Sequence, residues 1–97
     1  MMLLLNIEKG VNPLVEYENF HGVSYKFNYA KLRGRIIEYF GKQALFALAM
    51  GLSERTLSLK LNNIRCWTQI DIYKACALLQ LSFSEIPNYF FVRDTQD

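Results

Sequence analysis

Residues 43–63 read QALFALAMGLSERTLSLKLNN, from Gln43 to Asn63, and most of the fold is decided within them. Ala44, Phe46, Ala47 and Met50 recur at helical spacing, and Gly51 ends the run where a chain leaving a helix favours positive φ. Ser53 then offers a hydroxyl to the free N–H groups of a second helix over 54–61, whose Leu57 and Leu61 stand four apart on one side. Asn62 and Asn63 close that helix, because Asn tolerates the left-handed conformation. Two short helices joined by a tight turn are therefore expected.

Working outward, Tyr29, Leu32, Ile36 and Phe40 are spaced as one face of a helix that Asn28 caps and Gly41 stops. Downstream, Thr68 and Asp71 form a capping-box pair and predict a helix to about Leu79, with Ile72, Ala75, Cys76 and Leu79 turned inward. Ser82 and Glu85 repeat the signature for a short fifth helix, in which Pro87 predicts a bend or a break. The fold class expected is all-α: a compact domain of five helices over 25–92, followed by a polar tail over 93–97. Residues 1–24 show no clean period. Asn12-Pro13 and His21-Gly22 are breaker pairs, and Leu3–Ile7 and Leu14–Tyr17 are each compatible with a short strand. GTG, one of the codons for valine, is one that bacteria use as a start, and the regular pattern begins directly after Val23. Residues 1–24 are thus read as an N-terminal extension, or else residues 1–22 as lying upstream of the natural start.

A chain of 97 residues with 52% hydrophobic and 21% charged residues is one globular domain, too apolar for disorder. No apolar run approaches the roughly 20 residues of a membrane span, and Met1–Leu5 lacks the basic start of a signal peptide. A cytoplasmic protein without membrane contact is expected. Cys66 and Cys76 stand ten apart with no His nearby, which predicts reduced, partly buried thiols and no metal site. The lone histidine, His21, lies in the extension, no nucleophile has a base at recognisable spacing, and no glycine-rich phosphate loop is present. No catalytic residue, cofactor or small-molecule ligand is expected, and the chain is not read as an enzyme.

Charge is distributed unevenly. Residues 1–24 and 66–97 each sum to −2, whereas residues 25–65 sum to +6 through Lys26, Lys31, Arg33, Arg35, Lys42, Arg55, Lys60 and Arg65 against Glu38 and Glu54. A basic middle points to an anionic partner, nucleic acid first, with a solvated basic face as the alternative.

The 43–63 stretch resembles the helix-turn-helix of phage repressor and Cro-type regulators, the xenobiotic-response-element class with the lambda-repressor-like fold. Gln43, Ala47, Gly51, Ser53, Leu57 and Asn62 carry the resemblance, which runs from about Tyr25 to Phe91 and is most like small phage regulators of Gram-positive hosts. Ala47 must be small where the two helices cross, Gly51 makes the turn, Ser53 caps and Leu57 anchors. Asn63 departs from the family's usual Gly, and Pro87 interrupts the last helix.

The resemblance implies a DNA-binding transcriptional regulator, a phage or prophage repressor or Cro-like protein, whose helix over 54–61 lies in the major groove. Glu54, Arg55, Ser58 and Leu59 would read bases: Arg55 a guanine, Glu54 a cytosine amine, Leu59 a thymine methyl. For Glu54, offsetting the helix dipole is the local alternative. Gln43, Asn62, Asn63 and Arg65 would hold phosphates, and Lys60 either joins them or is solvated. Arg33 and Arg35 are read as a solvated face more than as DNA contacts, and Trp67 as core. The partner implied is a pseudo-palindromic double-stranded operator bound by a homodimer, with Tyr89, Phe90, Phe91 and Val92 as either dimer contacts or core. The alternative is a protein-interaction module of the same fold: an antirepressor-like partner of another regulator that reads no DNA.

Overall fold

The computed structural model of the chain describes residues 26–94. The expectations for Leu3–Ile7, Leu14–Tyr17, His21 and Val23 lie outside the described residues. Within them run α1 (Ala30–Phe40), α2 (Gln43–Met50), α3 (Glu54–Leu61), α4 (Gln69–Leu79), a 3-10 turn (Phe83–Glu85) and α5 (Ile86–Phe90). The five-helix all-α architecture read from the sequence is the one observed, and no strand occurs among the described residues.

Local chemistry sets the helix limits. The Asn28 side chain accepts the Ala30 N–H at 2.8 Å, although the cap position itself falls on Tyr29. Ser53 Oγ accepts from the Thr56 N–H at 3.0 Å and opens α3, and Thr68 and Asp71 form a reciprocal capping box at the start of α4. Three helices end alike. After α2, α3 and α4 the residues Gly51, Asn63 and Gln80 take positive φ (76°, 63° and 55°). The next N–H turns back to Ala47, Leu59 and Cys76 carbonyls respectively, each at 2.9 Å. Gln80 is the terminator that composition does not advertise.

A Cβ at Gly51 would have room, its nearest outside neighbour being Lys74 Nζ at 3.9 Å, so the constraint there is φ alone. Gly51→Val is therefore expected to lower stability by about 1–3 kcal/mol through backbone strain. Thermal melts of the two proteins check this, and equal melting would show that the turn does not require positive φ.

The core joins Leu32 and Ile36 of α1, Phe46, Ala47 and Met50 of α2, Leu57 and Leu61 of α3, Ala75, Cys76 and Leu79 of α4, and Tyr89 and Phe90. Trp67 lies half-buried between Tyr29 and Phe90, with ring centroids 6.1 and 5.1 Å away. The expected last helix is split in two. Pro87 is the second residue of α5, where its missing N–H is no loss, and the Ser82–Glu85 capping box closes the 3-10 turn instead. The polar tail begins later than expected: Asn28 N–H donates to Val92 O and Asp94 N–H to Lys26 O, so Arg93 lies opposite Phe27 in an isolated antiparallel bridge. Of the two free cysteines Cys76 is buried and Cys66 exposed, which corrects the expectation of two partly buried thiols.

Several cations of the basic middle face inward or bind carbonyls. Arg33 donates to Leu61 O (3.1 Å) and Arg35 to Leu79 O (3.0 Å) and Gln80 O (3.2 Å). Lys74 donates to Met50 O (3.1 Å), so the ends of α2, α3 and α4 each receive a long basic side chain from another helix. Arg33 and Arg35 are thus structural caps, neither a solvated face nor phosphate ligands. Lys31 lies over the Tyr89 ring at 4.8 Å.

Candidate docking face

Residues 54, 55, 58 and 59 share one side of α3, and the turn at Gly51–Ser53 swings that side next to the start of α2. Gln43, Glu54, Arg55, Ser58 and Leu59 consequently line one shallow, open concavity of about 410 Å³. These are the four residues expected to read bases together with Gln43, so the structure gathers them. Glu54 and Arg55 are exposed, while Gln43, Ser58 and Leu59 are partly buried.

Helix α2, which gives only Gln43 to this concavity, is apolar over the rest of its length. Helix α2 holds no charged residue at all, and its outward positions Leu45 and Leu48 are 50% and 75% exposed. Ile64, 71% exposed, follows α3 and donates its N–H to Leu59 O at 2.9 Å. Isolated exposed leucines are ordinary, but an uncharged helix with leucines on its outer face is not how a solvated helix is built. The sequence signal is the stretch ALFALAM from Ala44 to Met50, in which every residue is apolar. A second exposed cluster, Ile70, Tyr73 and Phe83, lies on α4 and the 3-10 turn, with the two rings 6.3 Å apart.

The expected phosphate ligands are mostly engaged elsewhere. Lys60, expected on the DNA or in solvent, is 5% exposed and pairs with Asp71 Oδ2 at 2.7 Å while donating to Cys66 O at 2.8 Å. Burial pushes the Asp71 carboxyl up, but the Lys60 and Thr68 hydrogen bonds outweigh it and hold the group below the ordinary carboxylate value. Asn63 uses both ends of its amide on Phe27, accepting its N–H at 2.8 Å and donating to its carbonyl at 2.9 Å. Asn62 Oδ1 accepts from Arg33 at 2.9 Å, and its amide nitrogen donates to Ser58. Arg65 alone of the group after α3 is exposed with its side chain unpaired among the described residues. Ala47 and Leu57 are buried between the crossing helices. Of the dimer candidates, Tyr89 and Phe90 are core (6% and 2% exposed), which removes them from any interface, whereas Phe91 and Val92 are exposed. Among the described residues no three His, Cys, Asp or Glu side chains are placed to hold a metal. None of the described helices is long and apolar enough to cross a membrane.

A family described as a protein of unknown function, DUF739, matches residues 25–93. The chain belongs to the DUF739 family. A solved structure is similar to this member: the solution structure of the modulator of repression of the temperate bacteriophage TP901-1 from Lactococcus lactis. It is 51% identical, the match covers 67% of this chain and 88% of that one, and the TM-score is 0.62. No curated protein matches the chain.

This likeness corrects the repressor and Cro-type resemblance. The neighbour is a phage regulator named for modulating repression, and the family is a different one. The DNA-binding repressor function, the pseudo-palindromic operator and the homodimer expected with it fall with that resemblance. The geometry supplies a physical reason: three of the eight cations that suggested a phosphate surface, Arg33, Arg35 and Lys60, serve the fold.

Proposed function

We propose that this chain is a phage or prophage protein-interaction regulator, acting in the cytoplasm, which modulates repression by binding another regulator through the α2–α3 face and reads no DNA. The observation that carries this reading is Leu48, 75% exposed on an uncharged helix whose first residue, Gln43, lines the concavity. Burying such a side chain against a partner contributes about 1.5–3 kcal/mol, and a phosphate backbone offers it nothing comparable. The similar phage protein, named as a modulator of repression, supports the same class of action.

In this arrangement Leu45, Leu48 and Leu59 supply apolar anchors. Arg55 and Glu54 fix orientation at the rim, and Gln43 and Ser58 offer hydrogen bonds. The test is a reporter under the operator of a repressor from the chain's own genome, in cells with and without that repressor. Expression of this chain is expected to change the reporter only where the repressor is present. A change in its absence, or a specific mobility shift of the operator by this chain alone, would overturn the reading.

A further inference from the structure

Three exposed cations lie on the concavity, next to one of its lining residues in the chain, or hydrogen-bonded to one through the backbone, while exposed Lys26 stands before α1. Among the described residues Arg33, Arg35, Lys60 and Lys74 bind carbonyls or Asp71, and Lys31 covers Tyr89. Arg55 lines the concavity, exposed Lys42 directly precedes Gln43, and exposed Arg65 donates its backbone N–H to Leu59 O at 3.2 Å. Against these three stands Glu54, which lies in the first turn of α3 where the positive helix end offsets its charge. Arg55, Lys42 and Arg65 against Glu54 therefore leave a positive balance on the concavity and the residues that flank it in the chain, beside the apolar Leu59.

From this we infer that the partner meets the face with an amphipathic helix, apolar along its centre and acidic on its flanks. The inference rests on the reading that this face binds a protein. The eight-residue α3 that floors the concavity is about 12 Å long, which matches two turns of an incoming helix. Leu59 and Ile64 meet its apolar stripe, while Arg55 and Arg65 meet carboxylates on its edges. Nucleic acid is disfavoured by the same inventory: three cations with a carboxylate in their midst do not track a phosphate ladder.

Two synthetic peptides of about 18 residues test this, both with leucines at helical spacing, one with glutamates and the other with lysines on the flanks. Each is titrated into the isotope-labelled full chain, and amide shifts are followed by NMR. The glutamate peptide is expected to move the amides of 54–59 and 64–65 and to bind roughly tenfold or more tightly than the lysine peptide. Arg55→Glu combined with Arg65→Glu, two exposed sites whose change leaves the helical circular dichroism intact, is expected to invert that preference. Equal binding of the two peptides, shifts confined to the Tyr73–Phe83 cluster, or tighter binding of a short DNA duplex than of either peptide overturns the inference. A reporter that responds to the repressor while the peptides show no charge preference refutes the acidic helix alone. A reporter that ignores the repressor refutes the functional reading itself.

Discussion

Asp71→Ala is expected to destabilise the protein by about 3–5 kcal/mol, close to the whole stability of a domain this small. The Lys60 ammonium is 5% exposed and has the Asp71 carboxylate at 2.7 Å. Removing the carboxylate leaves a buried charge with only the Cys66 carbonyl beside it, and the half of the α4 capping box that the carboxylate supplies, accepting the Thr68 N–H, is lost in the same step. Lys60→Met is expected to be milder, at about 1–2 kcal/mol, because it removes the buried charge and keeps the methylene stem while Asp71 retains its Thr68 bonds. The pair also fixes the direction of pH dependence. The folded Asp71 carboxyl is held below its unfolded value, so its contribution is present above the unfolded carboxylate range and is lost as pH falls through the folded value. Urea unfolding at neutral and at acid pH separates the cases: wild type weakens on acidification, and Asp71→Asn does so less. An Asp71→Ala loss below about 1 kcal/mol would mean that Lys60 reaches water or is satisfied by Cys66 alone.

That pair shows where sequence reading stops. Helix limits were legible because caps act within three residues: Ser53 with Thr56, Thr68 with Asp71 and Ser82 with Glu85 each appear in the chain as a short pattern. Lys60 was half legible. It stands three after Leu57 and beside Leu61, on the buried stripe, but the carboxylate that makes burial tolerable is in another helix. Arg33, Arg35 and Asn63 were illegible for the same reason, since their partners lie 28, 44 and 36 positions away. A sum of charges cannot distinguish a cation in solvent from one closing another helix's end. The candidate site was legible as a set, since Gln43, Glu54, Arg55, Ser58 and Leu59 do share one surface. Its use was not, because the same helices serve different tasks in different proteins.

Leu48→Glu puts that distinction to the sharpest test. A carboxylate buried against an apolar partner without a counter-charge loses the leucine's contribution and adds a desolvation penalty, together about 3–5 kcal/mol. Binding to the partner regulator is thus expected to weaken by roughly a hundredfold to a few thousandfold, and modulation of the reporter to disappear. The fold is expected to remain, because Leu48 is 75% exposed and makes no core contact that the substitution removes. Unchanged melting and helical circular dichroism accompany the loss. Leu48→Ala sets the scale by removing only apolar area, for about 1–2 kcal/mol. Tyr73→Glu supplies the control: it places the same charge on the other exposed apolar cluster, at a site 62% exposed. If Tyr73→Glu abolishes modulation and Leu48→Glu does not, the partner docks on α4 and the 3-10 turn, and the α2–α3 face is only the outer wall of the fold. If Leu48→Glu alone does so, the uncharged helix is the contact that makes this chain a regulator of a protein.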